Sequence, residues 1–313
     1  MHLRWRATLV RTNARHELAS LFSRIHQLPR LEAINFTFYP IYGRRIKFAD
    51  GGRRALQLSI LGALAASFRV HVPSRLTSLS LHNLRPSDLS PLESPPFQNF
   101  LTTLQRLHLS VLFDSSDPMF ETGIRHFWGT IFPRIVLTPM QHTLTELTLH
   151  SDSLFGASSG LSLAGLHFPH LCALSLRNLV FEPSIGVESF ILQHAATLAR
   201  LELLACKLLA HPDIPQTPLT PLPPHPSTVL APDKESRSGP GWDSIWDRFA
   251  AELTALVTLH VDEPMCSSYI SCCLDLSFWT DYARELRDAT DVAALQRFHA
   301  IVAARSEEMR GES

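Results

Sequence analysis

The stretch TLARLELLACKL, residues 197–208, carries the pattern that decides the fold. Leucines stand at 198, 201, 203 and 208 with a cysteine at 206, which matches the spacing LxxLxLxx[N/C]xL. Residues two apart point to the same side of a β-strand, so Leu201 and Leu203 are predicted to face a core. Leu198 closes the turn that enters the strand. Cys206 stands where a small, weakly polar side chain fits beneath the turn that leaves the strand, which indicates a structural rather than a reactive thiol. Cys172, on another predicted strand, receives the same interpretation.

The same spacing recurs along the chain and indicates about seven units. Steps of 27 or 28 residues separate three pairs of consecutive leading leucines, within the range of about 20 to 29 residues typical of leucine-rich repeats. The other three steps are 45, 40 and 58 residues and predict loops inserted on one rim. The predicted fold class is α/β, an irregular leucine-rich-repeat solenoid with parallel strands on the concave face, helices on the convex face and a C-terminal helical cap. The leading leucines are Leu31, Leu76, Leu104, Leu144, Leu171, Leu198 and Leu256. The position of Cys206 is taken in other copies by Leu84, Leu112, Asp152 and Leu179.

Two regions are predicted. Residues 1–265 form the solenoid, with a Pro-rich disordered insert at about 211–241, and residues 266–313 form the cap that shields the last apolar rung. Pro215, Pro218 and Pro221 also have the PxxP spacing that SH3 and WW modules bind, but no lysine or arginine closely flanks them. The segment HLRWRATLV, residues 2–10, reads as a strand of an incomplete preceding unit, in which case the chain is a fragment.

Apolar spacings of three and four residues predict the helices between the strands. The run from Ala55 to Phe68 is predicted to be a buried helix. Trp242 and Trp246 have the spacing of a ligand-stacking pair, although core packing explains it as well and is the interpretation favoured here. The predicted apolar faces are Leu18, Leu21, Phe22, Ile25 and Leu28, then Trp242, Ile245, Trp246, Phe249 and Leu253, then Val292, Leu295, Phe298 and Val302.

Composition narrows the function classes. Lys+Arg 28 against Asp+Glu 29 leaves a net charge of -1, so we expect no nucleic-acid partner and no membrane partner. Five cysteines without a recognisable signal peptide favour a reducing compartment, cytoplasmic or nuclear. We expect a monomer.

The sequence contains only weak matches to motifs for catalysis, metal binding or nucleotide binding. GASSG, residues 156–160, matches GxSxG with Ser158 as nucleophile, but a Gly/Ser-rich stretch leading into the next repeat lacks the strand, turn and helix of a nucleophile elbow. A zinc site would need a second pair of cysteines or histidines at the right spacing, and none accompanies Cys266, Cys272 and Cys273. The sequence also contains no phosphate-binding loop. The sequence therefore predicts no catalytic residue, no metal and no cofactor. A hydrolase using the Ser158 loop or a concave histidine site is the alternative.

The strand positions opposite the leucines are polar, and the solenoid would place them on its concave face. His82, His108 and His150 are predicted to lie within about 10 Å of one another on adjacent strands. They would suit a zinc or pH-sensing site, although no carboxylate or cysteine completes a ligand set, so protein recognition is the favoured interpretation. The predicted partner-binding residues are His82, Arg106, His108, Thr148, His150, Ser175, Arg177, Arg200, Glu202 and His260.

The segments FPHLCALSLRNLVF, ESFILQHAATLARLELLACKL and WDRFAAELTALVTL resemble the degenerate repeats of F-box/leucine-rich-repeat-like proteins of mushroom-forming fungi. The resemblance covers the chain from about Leu28 to its end. It implies a ubiquitin-ligase substrate receptor, in which repeats hold a protein target and an N-terminal F-box binds Skp1 and, through it, a cullin. The chain departs from this plan, since no F-box helix set precedes the repeats. The target itself is not named by the sequence.

Overall fold

The computed structural model describes residues 2–7, 12–38, 49–86, 89–112, 123, 125–156, 160–210, 241–262, 269–271 and 289–311. The strands are β1 (His2–Ala7), β2 (Ala33–Phe38), β3 (Ser78–Leu84), β4 (Arg106–Val111), β5 (Glu146–Phe155), β6 (Ala173–Phe181), β7 (Arg200–Leu204), β8 (Lys207–Ala210), β9 (Thr258–Val261) and β10 (Tyr269–Ser271). The α-helices are α1 (Thr12–Phe22), α2 (Ala49–Val70), α3 (Ser90–Glu93), α4 (Pro95–Leu101), α5 (Val187–Gln193), α6 (Trp242–Glu252) and α7 (Ala289–Gly311). A π-helix spans Phe127–Leu137, and 3-10 turns span Ile25–Gln27 and Thr138–Met140.

The sheet runs in chain order, β1-β2-β3-β4-β5-β6-β7-β9, and its neighbouring strands are parallel. Strand β8 pairs with the end of β6 and with β10, also in parallel. The predicted α/β class with a parallel sheet is therefore confirmed. The residues 2–7 form the strand predicted there, paired with β2.

The register aligns the apolar side chains in rows across the sheet. One row is Leu79, Leu107, Leu147, Leu174, Leu201 and Leu259, and each of these residues pairs with the next. All seven leading leucines are at most 1% exposed, so each unit contributes a side chain to one continuous core. The covering helices add large apolar groups. Trp242 and Trp246 are buried and stacked at 4.9 Å between ring centroids, so they belong to the core, as predicted.

The first two long steps contain helices, and the one in the first step includes the buried helix predicted from Ala55 to Phe68. Residues 39–48 and 113–122 of these steps lie outside the described part of the chain, so the predicted inserted loops stay a prediction. Helix α2 fills part of the step from Leu31 to Leu76 with 22 residues, whereas α4 and α5 in the shorter steps have 7 residues each. The π-helix lies in the step from Leu104 to Leu144. It contains Pro133, which has no N–H to donate to a regular helical ladder. The third long step, from Leu198 to Leu256, contains the Pro-rich insert, which lies outside the described residues apart from Gly241.

Several apolar-face predictions are wrong in detail. Leu21 is 41% exposed because α1 ends at Phe22 and a 3-10 turn follows, so the face does not continue straight to Ile25. Val292 is 36% exposed, and Asp291 takes the buried place beside it. Cys172 is exposed, because it lies one residue before β6 rather than on a strand, and its Sγ donates to the Thr145 carbonyl at 3.3 Å. Cys206 is fully buried, as predicted.

Helix α7 packs along α6 at the end of the chain, where the cap is predicted. The region 266–313 is not entirely helical, since it includes β10. Residues 272–288 of this region lie outside the described part of the chain.

Candidate functional site

The polar face is the side of the sheet opposite the rows of leucine, and the sheet brings the predicted partner-binding residues together on it. Strand pairing matches His108, Thr148, Ser175, Glu202 and His260 in one row across β4, β5, β6, β7 and β9. A second row pairs His150 with Arg177, and a third contains Arg106 and Arg200. His82 lies at the equivalent face position of β3, paired with Thr37.

Three histidines are in ring contact at the centre of this face. His82 and His108 have ring centroids 4.2 Å apart, and His108 and His150 have centroids 5.3 Å apart. The predicted proximity of these residues is therefore confirmed. They do not form one straight row, because Ser80 and not His82 pairs with His108, so His108 sits diagonally between the other two. We call these three residues the histidine cluster.

The histidine cluster is held in the neutral form. The pKa of His108 is lowered to about 3, mainly by its partial burial and in addition by the positive charge that His82 and His150 carry when protonated. Burial also lowers the pKa of His82. The pKa of His150 is lowered by burial as well, partly offset by the charge of Glu202 and lowered further by Arg177. At neutral pH the cluster thus presents imidazole N–H and N groups without net charge.

A hydrogen-bonded chain extends from the cluster to β7. The Ser175 hydroxyl donates to Glu202 Oε2 at 2.5 Å, and His150 Nε2 lies 3.0 Å from the same hydroxyl oxygen. A serine has one hydroxyl proton, so the oxygen that has given it to Glu202 must accept from His150, which fixes the N–H on Nε2. This order is the reverse of a catalytic arrangement, in which the imidazole takes the serine proton.

The charged residues of the polar face differ in their surroundings. Arg200 pairs with Glu146 at 3.6 Å, and Glu202 accepts from Ser175. Arg106 and Arg177 are exposed, and within the part of the chain that the structure describes neither makes an ion pair.

No group of three or more histidine, cysteine, aspartate or glutamate side chains suited to a metal ion occurs among the described residues. In the histidine cluster the rings meet as tilted and edge-on aromatic pairs, and His150 is engaged with Ser175. Ser158, Cys266, Cys272 and Cys273 lie outside the described residues. Within the described ranges, no helix combines the length and the apolar character needed to span a bilayer.

A second set of polar contacts, which had not been predicted from the sequence, lies within β3 and β6 where the register between neighbouring strands shifts. Asn83, Asn178 and Ala205 have φ of 59°, 59° and 49° and stand at the same place in their units. Asn83 Nδ2 donates to the Phe38 carbonyl at 2.8 Å, and Asn178 Nδ2 donates to the Ser151 carbonyl at 2.7 Å, so each asparagine ties its strand to the preceding one. The signal was available as the matching letters LHNL and LRNL, one residue before the expected asparagine position.

Comparison of the chain with models of known protein families, with curated proteins and with solved structures found no match.

Proposed function

We propose that this protein is a non-enzymatic protein-recognition module that binds its partner on the polar face of the sheet. The observation that carries the proposal is the continuity of this face. One row of polar side chains continues at paired positions from Asn35 on β2 to His260 on β9, and apart from Ser175 its members are exposed or half-buried, while the opposite face is filled with leucine. A broad face of mixed polarity that the covering helices leave open suits a protein partner better than a small molecule, which requires a closed and mostly apolar pocket.

We further propose that the architecture is an irregular leucine-rich-repeat solenoid whose concave side is the polar face. The support is the repeat spacing together with the chain-order parallel sheet, in which each strand contacts mainly its neighbours in sequence. In such a solenoid the strands line one surface and the helices line the other, so residues inserted between the helices and strands do not disturb the polar face.

The resemblance to F-box/leucine-rich-repeat-like proteins extends the proposal to a substrate receptor of a ubiquitin ligase. In that role the polar face would hold the protein to be modified, and an F-box would recruit Skp1 and a cullin. The support is the resemblance of the repeats alone.

The enzyme alternative has less support. Ser175 and His150 are in hydrogen-bond contact, but Ser175 gives its proton to Glu202 and accepts from His150, so His150 is not placed as its base. Ser175 is also only 9% exposed, which leaves little room for a substrate.

The test is affinity capture of partners from native lysate with the tagged chain, read by quantitative mass spectrometry. The test variant replaces Arg106, His108 and Arg177 with alanine. A matched control replaces Arg24, Arg69 and His71, which are also exposed but lie on or beside the covering helices. Circular dichroism and thermal unfolding of each variant verify that it is folded.

We expect a set of proteins that the wild type and the control capture equally and that the face variant loses. Skp1 and a cullin within this set, or retained independently of the face, would support the receptor role. Equal capture by all three folded chains would overturn the assignment of the binding surface to the polar face.

A further inference from the structure

The polar face has an asymmetry of charge that points to the chemistry of its partner. Among the register-paired positions whose side chains the structure describes, the exposed charged side chains are basic, namely Arg106, Arg177 and Arg200. The acidic residues of the same rows, Glu146 and Glu202, are half-buried and already engaged, with Arg200 and Ser175 respectively. Asp152 is exposed and lies two residues after His150, which is the last residue of β5 to pair with β6 before the register shifts. Asp152 also interacts with other residues.

Thr148 lies midway between Arg106 and Arg177 on the polar face, with His108 and His150 beside the line that joins the two arginines. Arg106 is on β4 and Arg177 on β6, two strands apart, and the register separates them by four residues along the strand direction. With about 4.8 Å between strands and about 3.3 Å per residue, the two Cα atoms are about 16 Å apart on the diagonal. An extended peptide covers this distance with about five residues.

From this arrangement we infer that the polar face binds an acidic segment of a protein partner, laid diagonally over Thr148 and beside His108 and His150, with carboxylates at Arg106 and Arg177. This inference rests on the proposed function and specifies the class of partner. The two guanidinium groups pair with carboxylates at either end of the segment, and a planar guanidinium suits a carboxylate because it offers two parallel N–H donors.

His108, beside this diagonal, suits the middle of such a segment. His108 makes ring contacts but no side-chain hydrogen bond to another described residue, so its imidazole N–H can donate to a backbone or side-chain oxygen of a bound segment. Nucleic acid fits this face less well. Affinity for a phosphate backbone requires many cations, whereas only two arginines without an acidic partner occur among the side chains of this face that the structure describes, and the whole chain has a net charge of -1.

The inference is tested with two fluorescein-labelled peptides of about ten residues, one made of Glu and Asp spaced by Ser and the other its Gln and Asn counterpart. Binding to the full chain is measured by fluorescence anisotropy at low and at physiological salt. The variants are Arg106→Ala/Arg177→Ala and, as the matched control, Arg24→Ala/Arg69→Ala. Each removes two exposed arginines and leaves the histidine cluster intact.

We expect the acidic peptide to bind the wild type and the control, with the amide peptide at least about tenfold weaker. The face variant should bind the acidic peptide at least about fivefold more weakly than the wild type, because two charge-assisted contacts are lost. Raising the salt should weaken the interaction further.

Equal binding of both peptides, or equal loss in the face variant and the control, would overturn the inference. The peptide is then added as a competitor in the affinity capture described above. If a partner depends on the polar face but is not displaced by the acidic peptide, the acidic-segment inference fails while the proposed function stands. If no captured protein depends on the face, the proposed function itself fails.

Discussion

Asn178 combines two roles that can be separated by substitution. Its φ of 59° lies in the left-handed region, which asparagine tolerates better than most residues, and its Nδ2 donates to the Ser151 carbonyl at 2.7 Å. Asn178→Ala removes the hydrogen bond and places alanine at a positive φ that it tolerates poorly. It should lower the free energy of unfolding by about 2 kcal/mol, measured by urea denaturation.

The control for this prediction is Asn178→Gly, which accepts the positive φ without strain but lacks the amide. It should cost about 1 kcal/mol, the value of the hydrogen bond alone. If the alanine and glycine variants are equally stable, the left-handed backbone conformation at residue 178 contributes nothing to the difference in stability.

His108 makes stability depend on pH. Its pKa is lowered from 6.5 to about 3 in the folded chain, so above pH 6.5 it is neutral in both states and adds no pH dependence. As the pH falls from 6.5 toward 3, the unfolded chain takes up a proton that the folded chain does not, and stability decreases. The contribution of His108 between pH 7.5 and 5.5 is about 1 kcal/mol once its partial exposure is considered.

The measurement is urea unfolding of the wild type and His108→Gln at several values between pH 7.5 and 5.5, a window above the titration of most carboxylates. Glutamine does not titrate, so the variant should lose less stability than the wild type as the pH falls. The burial of His82 and His150 lowers their pKa values too, so part of the slope should remain in the variant. Identical slopes would contradict the assignment of this pH dependence to His108.

At the scale of elements, helix α7 supplies caps for both ends of α6. Gly241 precedes α6 and has no side chain with which to cap it, and Asp291 of α7 accepts the Asp243 N–H at 3.0 Å instead. At the other end, Arg305 donates to the Leu253 carbonyl at 2.7 Å and the Ala250 carbonyl at 3.0 Å. A negative group at the helix start and a positive group at its end both complement the helix dipole.

We therefore predict that Asp291→Ala and Arg305→Met each lower the free energy of unfolding by about 1 to 2 kcal/mol, since each leaves backbone groups of α6 without a partner. The measurement is urea denaturation, with hydrogen exchange to detect opening of α7. Arg297→Ala is the control. Its ion pair with Asp247 joins two exposed side chains, so its loss should change stability by less than about 0.5 kcal/mol. An equal effect in all three variants would contradict the special role of the helix ends.

The sequence predicts the strands better than the helices that connect them. Leu201 and Leu203 could be assigned to the core because alternation in a strand is independent of what packs above it. The exposure of Leu21 could not be predicted, because it depends on α1 ending at Phe22, and helix ends are decided by tertiary contacts as much as by local sequence. The π-helix at Phe127–Leu137 was equally hidden, since its residues are apolar on most sides and give no clear period.

At the scale of the molecule, the parallel sheet and the face that carries His82, His108 and His150 followed from the repeat alone. A fixed repeat places equivalent residues at matching strand positions, so their proximity did not require knowledge of the helices. The hydrogen bonds that link His150 to Ser175 and Ser175 to Glu202 could not be predicted in this way, because they depend on side-chain rotamers and on the register between β6 and β7. Repetition thus predicts which residues are neighbours, whereas their hydrogen bonds arise from packing that is specific to each unit.

The last prediction concerns the Pro-rich insert, which separates β8 from α6. The composition of residues 211–240 predicts disorder, and the cost of closing a disordered loop varies only with the logarithm of its length. Replacing these residues with a Gly/Ser linker of about ten residues should therefore change the free energy of unfolding by less than about 1 kcal/mol. The proposed binding surface is the polar face, which the replacement does not touch, so partner capture should also persist. A matched control keeps the length and composition of the insert but scrambles its order. If the linker variant loses capture while the scrambled chain retains it, length or composition of the insert matters for recognition. If both folded variants lose capture, the insert sequence and not the polar face alone recognises the partner.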